Sequence, residues 1–131
     1  MAEPRTARDM SVLVVDDEPE ILSAMQDLLE YLGYRPELAE NGRKGLEKYR
    51  SKNPDAVLMD INMPEMDGIT CIEKILDDDP NANISIFSGY EEEGVENMSQ
   101  RAKDAIKDYL AKPVGLEALS ALLAEMLREK K

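Results

Sequence analysis

Asp16 and Asp17, Asp60, Ser88 and Lys112 each stand where an apolar run of the chain ends. Taken singly they have ordinary uses: a helix cap, a turn residue, a turn hydroxyl and a lysine before Pro113. Brought to one place they would be three crowded carboxylates, repelling by about 4 kcal/mol per pair at 4 Å and an effective dielectric near 20. Such a cluster needs positive charge. Mg²⁺ suits it, because that ion takes oxygen ligands and is commonly held by one or two carboxylates together with a phosphate. Lys112 supplies a second cation. Asp60 is then a nucleophile able to attack a phosphorus whose charge is spread over metal, lysine and hydroxyl, with an aspartyl phosphate as product. The chain has no histidine, so the chemistry falls to carboxylates, lysine and backbone groups.

These residues need a frame that gathers them. Residues 1–10 mix charges with Pro4 and read as a loose tail, with the folded domain over 11–129. Val12-Leu13-Val14-Val15 is a strand buried on both faces. Ile21, Leu22, Met25, Leu28, Leu29 and Leu32 follow at helical spacing, with Pro19 suited to the first turn and Gly33 to the stop. A short strand near Arg35–Ala39 and a weak helix from Gly42 to Ser51, with only Leu46 and Tyr49 on its apolar face, form the next cycle. Ala56–Met59 is a third strand, and Asp67 caps a helix carrying Ile69, Ile72, Ile75 and Leu76. Asp77-Asp78-Asp79-Pro80-Asn81 reads as a solvated, helix-ending turn. A strand over Ile84–Phe87, a polar helix over Glu91–Asp104, a strand over Lys107–Leu110 and a helix carrying Leu116, Leu119, Leu122, Leu123, Met126 and Leu127 complete the pattern. Strict alternation of strand and helix predicts a doubly wound, parallel α/β sheet, in which ligands sit outside the carboxyl ends of the strands. Those ends are where Asp16, Asp17, Asp60, Ser88 and Lys112 lie.

A length of 131 residues suits one domain. The formal net charge of −12 repels nucleic acid and anionic lipid, so neither is an expected partner. The lone Cys71 excludes a disulfide within the chain, and no signal peptide or 18-residue apolar run is present, which sets a cytoplasmic expectation.

Three segments carry a specific resemblance: Leu13-Val14-Val15-Asp16-Asp17-Glu18, Met59-Asp60-Ile61-Asn62-Met63-Pro64-Glu65-Met66-Asp67-Gly68 and Asp108-Tyr109-Leu110-Ala111-Lys112-Pro113. From residue 11 to about 129 the chain closely resembles the receiver domains of two-component response regulators, of the single-domain chemotaxis type. The resemblance implies a flavodoxin-like (βα)5 fold with strand order 2-1-3-4-5. It implies that Asp60 accepts phosphate from a phosphohistidine on a sensor histidine kinase or phosphotransfer protein. Asp17 would contact Mg²⁺ directly, Asp16 largely through water, and the Asn62 backbone carbonyl would be a further ligand. Lys112 would pair with the phosphate, Ser88 would move to a phosphoryl oxygen, and Tyr109 would turn inward as it does. Asn62 and Tyr90 lie where the family tunes access of hydrolytic water, and bulky Tyr90 is expected to prolong the acyl phosphate. A cis bond is expected before Pro113.

There are departures. Ser88 stands where threonine is common, Ala105-Ile106 where Gly-Ala is frequent, and Ser85 puts a hydroxyl inside the fourth strand. With no residues left for an output module, the expected message is the phosphorylated surface itself, read by a protein target on the face made by Glu91–Asp104, Lys107–Leu110 and Gly115–Arg128. The chain is expected to be no turnover enzyme. A magnesium-dependent phosphohydrolase is disfavoured because Asn62 cannot serve as the general acid that such enzymes carry two residues after the nucleophile. A flavin module is disfavoured because Asp16-Asp17-Glu18-Pro19-Glu20 would repel a phosphate. A degenerate, unphosphorylated scaffold is disfavoured because the set of site residues is intact.

Overall fold

The structure is a computed structural model that describes residues 10–61, 68–88 and 98–128. Asn62, Asp67 and Tyr90, as well as 91–97 of the expected fourth helix, lie outside the described residues. Ten elements alternate along the chain: β1 (Ser11–Val15), α1 (Pro19–Leu32), β2 (Arg35–Ala39), α2 (Gly42–Lys52), β3 (Ala56–Met59), α3 (Gly68–Asp78), β4 (Ile84–Ser88), α4 (Gln100–Ala105), β5 (Ile106–Ala111) and α5 (Leu116–Leu127). The strands form one parallel sheet in the order β2-β1-β3-β4-β5, as expected.

The two-residue period of the strands divides the core. Val12, Val14, Leu58 and Phe87 face α1 and α5, where Met25, Leu29, Leu119 and Leu123 are buried. Leu13, Val15, Val57, Met59, Ile84 and Ile86 face α2 and α3, with Leu46, Tyr49, Cys71, Ile72, Ile75 and Leu76. The central strands are therefore mostly apolar, because both of their faces are covered. Met10, assigned to the tail by sequence, is only 5% exposed and its carbonyl accepts the Arg35 N–H, so the fold begins one residue earlier than expected.

Local stops behave as the sequence indicates. Pro19 opens α1, and Gly33 closes it at φ 93°, a left-handed conformation that costs glycine little. The expected helix over Glu91–Asp104 is corrected: Met98 and Ser99 are not helical, because the Ser99 hydroxyl accepts the Ala102 N–H and so starts α4 at Gln100. The fifth strand is longer than expected, and it follows α4 with no loop, since Ile106 packs against the core. The acidic turn is also corrected. Asp77 and Asp78 belong to α3, Asp78 pairs with Arg50 at 2.6 Å, Asp77 with Arg101 at 3.0 Å, and Asp79 accepts the Tyr49 hydroxyl at 2.8 Å. Ser85 is fully buried with its hydroxyl 3.3 Å from the Met126 sulfur, a polar contact inside the α5 side of the core.

Candidate functional site

Parallel pairing brings the carboxyl ends of β1, β3, β4 and β5 to one edge. Backbone bonds fix each site residue there: Asp16 N–H donates to the Ala39 carbonyl, Asp60 N–H to Val15 and Lys112 N–H to Ser88, at 2.9–3.0 Å. A register shift sets the last of these. Ile84 pairs with Ile106 but Ile86 with Tyr109, so β5 carries one extra residue before Phe87 meets Leu110 and Ser88 meets Ala111. Without that bulge, strand alternation would turn the residues beyond it to the opposite face. The bond between Lys112 and Pro113 is cis, as the resemblance implied.

The side chains converge around Lys112. Its ammonium lies 2.5 Å from Asp16 Oδ2, 3.3 Å from Asp60 Oδ2 and 3.5 Å from Glu18 Oε1, and 5.0 Å above the Phe87 ring. Asp16 is fully buried, Asp60 is 3% exposed and Ser88 is buried beside them on β4, whereas Asp17 and Glu18 face solvent. Asp16 Oδ1 accepts the Glu18 N–H at 2.9 Å. Asp16 Oδ2, though close to the ammonium, accepts no well-directed hydrogen bond.

Burial pushes the Asp16 carboxyl above the usual carboxylate range, against the opposing pull of Lys112. Burial alone would push Lys112 down, but Asp16 and Asp60 outweigh it and hold the ammonium above the ordinary lysine value. The two directions agree physically: one ammonium shared among three carboxylates is strongly retained, while no single carboxylate is fully compensated. Negative charge is left over. Asp16, Asp17 and Glu18 offer oxygen atoms within 4.8 Å of one another, and Asp60 is joined to them through Lys112. A hard divalent cation fits this donor set and the poorly bonded, buried Asp16 Oδ2.

The family model of the response regulator receiver domain matches residues 12–124. The chain belongs to that family. Similar curated proteins include the chemotaxis protein CheY of Thermotoga maritima, 39% identical over 103 residues, covering 78% of this chain and 84% of the relative. CheY of Treponema pallidum is 38% identical, covering 89% and 82%. The transcriptional regulatory protein ZraR of Klebsiella oxytoca is 38% identical over 93% of this chain, but the chain spans only 27% of its length. It likewise spans about a third, 35%, of a protein-glutamate methylesterase from Archaeoglobus fulgidus. Among solved structures, a CheY-like receiver domain from Methanospirillum hungatei has a TM-score of 0.82 at 31% identity, covering 92% of this chain and 95% of that one. The response regulator TrrA of Thermotoga maritima, in complex with Mg(2+)-BeF, has a TM-score of 0.79 at 30% identity, covering 90% and 99%.

Within this receiver domain the structure gathers Asp16, Asp17, Asp60, Ser88 and Lys112 at one edge, as the sequence predicts. Tyr109 is on β5 and 42% exposed, directed away from a buried position. Glu18 was missed as a site residue. It sits inside the Asp16-Asp17-Glu18 motif, but its contact with Lys112 depends on the lysine side chain reaching from the end of β5, past β4 and β3, to the loop after β1, which residue spacing does not reveal. Among the described residues, no helix is long and apolar enough to cross a membrane.

Proposed function

We propose that this receiver domain is a phosphorylation-dependent switch: Asp60 accepts a phosphoryl group from a phosphohistidine on a sensor histidine kinase or phosphotransfer protein. The observation that carries the reading is the sharing of Lys112 between Asp16 and Asp60 at the carboxyl edge of the sheet. An Asp60 carboxylate oxygen attacks phosphorus, the phosphorus–nitrogen bond to the donor imidazole breaks, and that nitrogen keeps the electron pair and takes a proton from solvent. Lys112 neutralises charge on the transferred group, and Ser88 donates its hydroxyl to a phosphoryl oxygen. Asp16, Asp17, Asp60 and, by the family resemblance, the Asn62 carbonyl would hold Mg²⁺, which when bound would supply Lewis-acid neutralisation of the phosphoryl oxygens. Likeness to TrrA, solved with Mg(2+)-BeF, supports that ion.

The receiver catalyses only its own phosphorylation and dephosphorylation, and signals through a protein target that reads the face of α4, β5 and α5. The match to chemotaxis relatives over 84% and 82% of their lengths supports a chemotaxis-type receiver role. Intact-mass analysis after incubation with Mg²⁺ and acetyl phosphate tests the reading. One hydroxylamine-labile phosphoryl adduct is expected, absent without Mg²⁺ and absent in Asp60→Asn; a folded protein that takes up no phosphate refutes it. Mg²⁺ at about a hundred times its Kd should add about 2.7 kcal/mol of stability. Asp17→Asn, at an exposed position, should abolish most of that gain while leaving metal-free stability nearly unchanged.

A further inference from the structure

The first residue of α3, Gly68, lies directly against the main chain that carries Asp60. A Cβ built there would stand 2.2 Å from the Asp60 carbonyl oxygen, 2.6 Å from Ile61 Cα and 2.9 Å from the Asp60 carbonyl carbon. All three obstacles are backbone, so no side-chain rotation relieves them. The contrast is Gly45 on α2, whose Cβ would meet the side chain of Val15 at 2.8 Å and 3.1 Å.

We propose that Gly68 is a positioning residue for Asp60: its missing side chain lets α3 close on the end of β3 and so sets where the Asp60 carboxylate stands relative to Lys112. The inference rests on the phosphoacceptor reading of Asp60. The end of β3 is held from the other side, since Asp60 N–H donates to Val15 and Val57, Leu58 and Met59 pair with both β1 and β4. A methyl group at 68 therefore cannot be absorbed by sliding the strand freely. It must open the contact by about 1 Å, a displacement that at a reacting group costs on the order of a hundredfold in rate. Asp16 and Asp17, two of the four ligands proposed for Mg²⁺, belong to the end of β1 and are not pushed by it, so metal affinity should fall less than the rate of transfer measured at saturating Mg²⁺.

The experiment compares the full chain with Gly68→Ala and with Ile75→Val, a buried change on the same helix that touches no part of the site. For each, the phosphorylation rate from acetyl phosphate at saturating Mg²⁺, the Mg²⁺ Kd by calorimetry and the melting temperature are measured. Gly68→Ala should lose at least about tenfold in rate with a much smaller change in Kd, while Ile75→Val melts earlier and keeps its rate. A folded Gly68→Ala with the parent's rate overturns the proposal, and so does an equal rate loss in Ile75→Val. Should Gly68→Ala fail to fold, the parent decides: a strong NOE between Gly68 Hα and Ile61 Hα supports the close approach, and its absence overturns it. A parent that takes up no phosphate removes the phosphoacceptor reading instead, because the NOE reports the contact independently of phosphorylation.

Discussion

Replacing Lys112 with methionine keeps the length of the side chain and removes its charge. In the parent the Lys112 side chain is 11% exposed and its ammonium faces Asp16 at 2.5 Å and Asp60 at 3.3 Å. At an effective dielectric of about 20, these contacts are worth roughly 7 and 5 kcal/mol respectively before desolvation is counted. Taking the lysine out of water offsets several kcal/mol of that, and removing one partner of such a buried group typically costs about 3–5 kcal/mol. Glu18 leaves one side of the site open to solvent, which places the expected loss near the low end, about 3 kcal/mol at pH 7.5.

The pH dependence has a definite sign. Asp16 is raised by burial, and Lys112 opposes that rise, so the methionine variant lets the carboxyl rise further. The native variant then binds more protons than its unfolded chain over a wider range above the ordinary aspartate value of 3.8, and its stability falls as pH rises through that range. The gap between parent and variant should be widest at neutral pH and close as the solution is acidified towards that value. Urea unfolding midpoints at a series of pH values from 5 to 8, with Mg²⁺ chelated, measure it. A variant as stable as the parent at pH 7.5, or a gap that widens towards acid, would refute the reasoning.

Tyr49→Phe removes the hydroxyl that donates to Asp79 and should cost about 1.5 kcal/mol at neutral pH by urea unfolding. Burial, and then Asp79, hold the Tyr49 phenol well above the ordinary tyrosine value of 10.0, so its contribution is complete below that pH and is lost as pH rises beyond it. The parent should weaken above pH 10.0, and the phenylalanine variant should show a shallower loss, due to Tyr34, which burial also raises, and to Lys112, which Asp16 and Asp60 raise; identical slopes would count against this. Arg101 donates to the Glu73 carboxylate and carbonyl and pairs with Asp77, clasping α4 to α3. Arg101→Ala should speed amide hydrogen exchange in α4 while leaving β1 and β3 unchanged, and uniform acceleration would show that the clasp is not local.

The sheet was legible because its signal is redundant. Three apolar runs buried on both faces, β1, β3 and β4, could be satisfied only by helices on both sides, and Asp16, Asp60, Ser88 and Lys112 follow from strand ends alone. What escaped depended on contacts between segments distant in sequence. Ser99 starts α4 by a local cap that a polar, weakly periodic stretch does not advertise. Asp77, Asp78 and Asp79 look like a solvated run until α2 and α4 supply Arg50, Tyr49 and Arg101. Met10 looks like tail until β2 pairs beside it.

The same distinction separates the residues that do chemistry from those that place them. A carboxylate, a hydroxyl and a lysine announce themselves by type, and their order along the chain is enough to bring them to one edge. Their spacing across that edge comes from features with no chemical signature: one extra residue in β5, which aligns Ser88 with Ala111 and delivers Lys112, and an absent side chain at Gly68, which lets α3 reach the Asp60 carbonyl. On the proposal made above, both adjustments set how Lys112 meets Asp16 and Asp60. Substitutions at these positioning sites should therefore alter transfer to Asp60 without changing any group that touches phosphorus, and that is how a receiver with an intact set of site residues could still fail to switch.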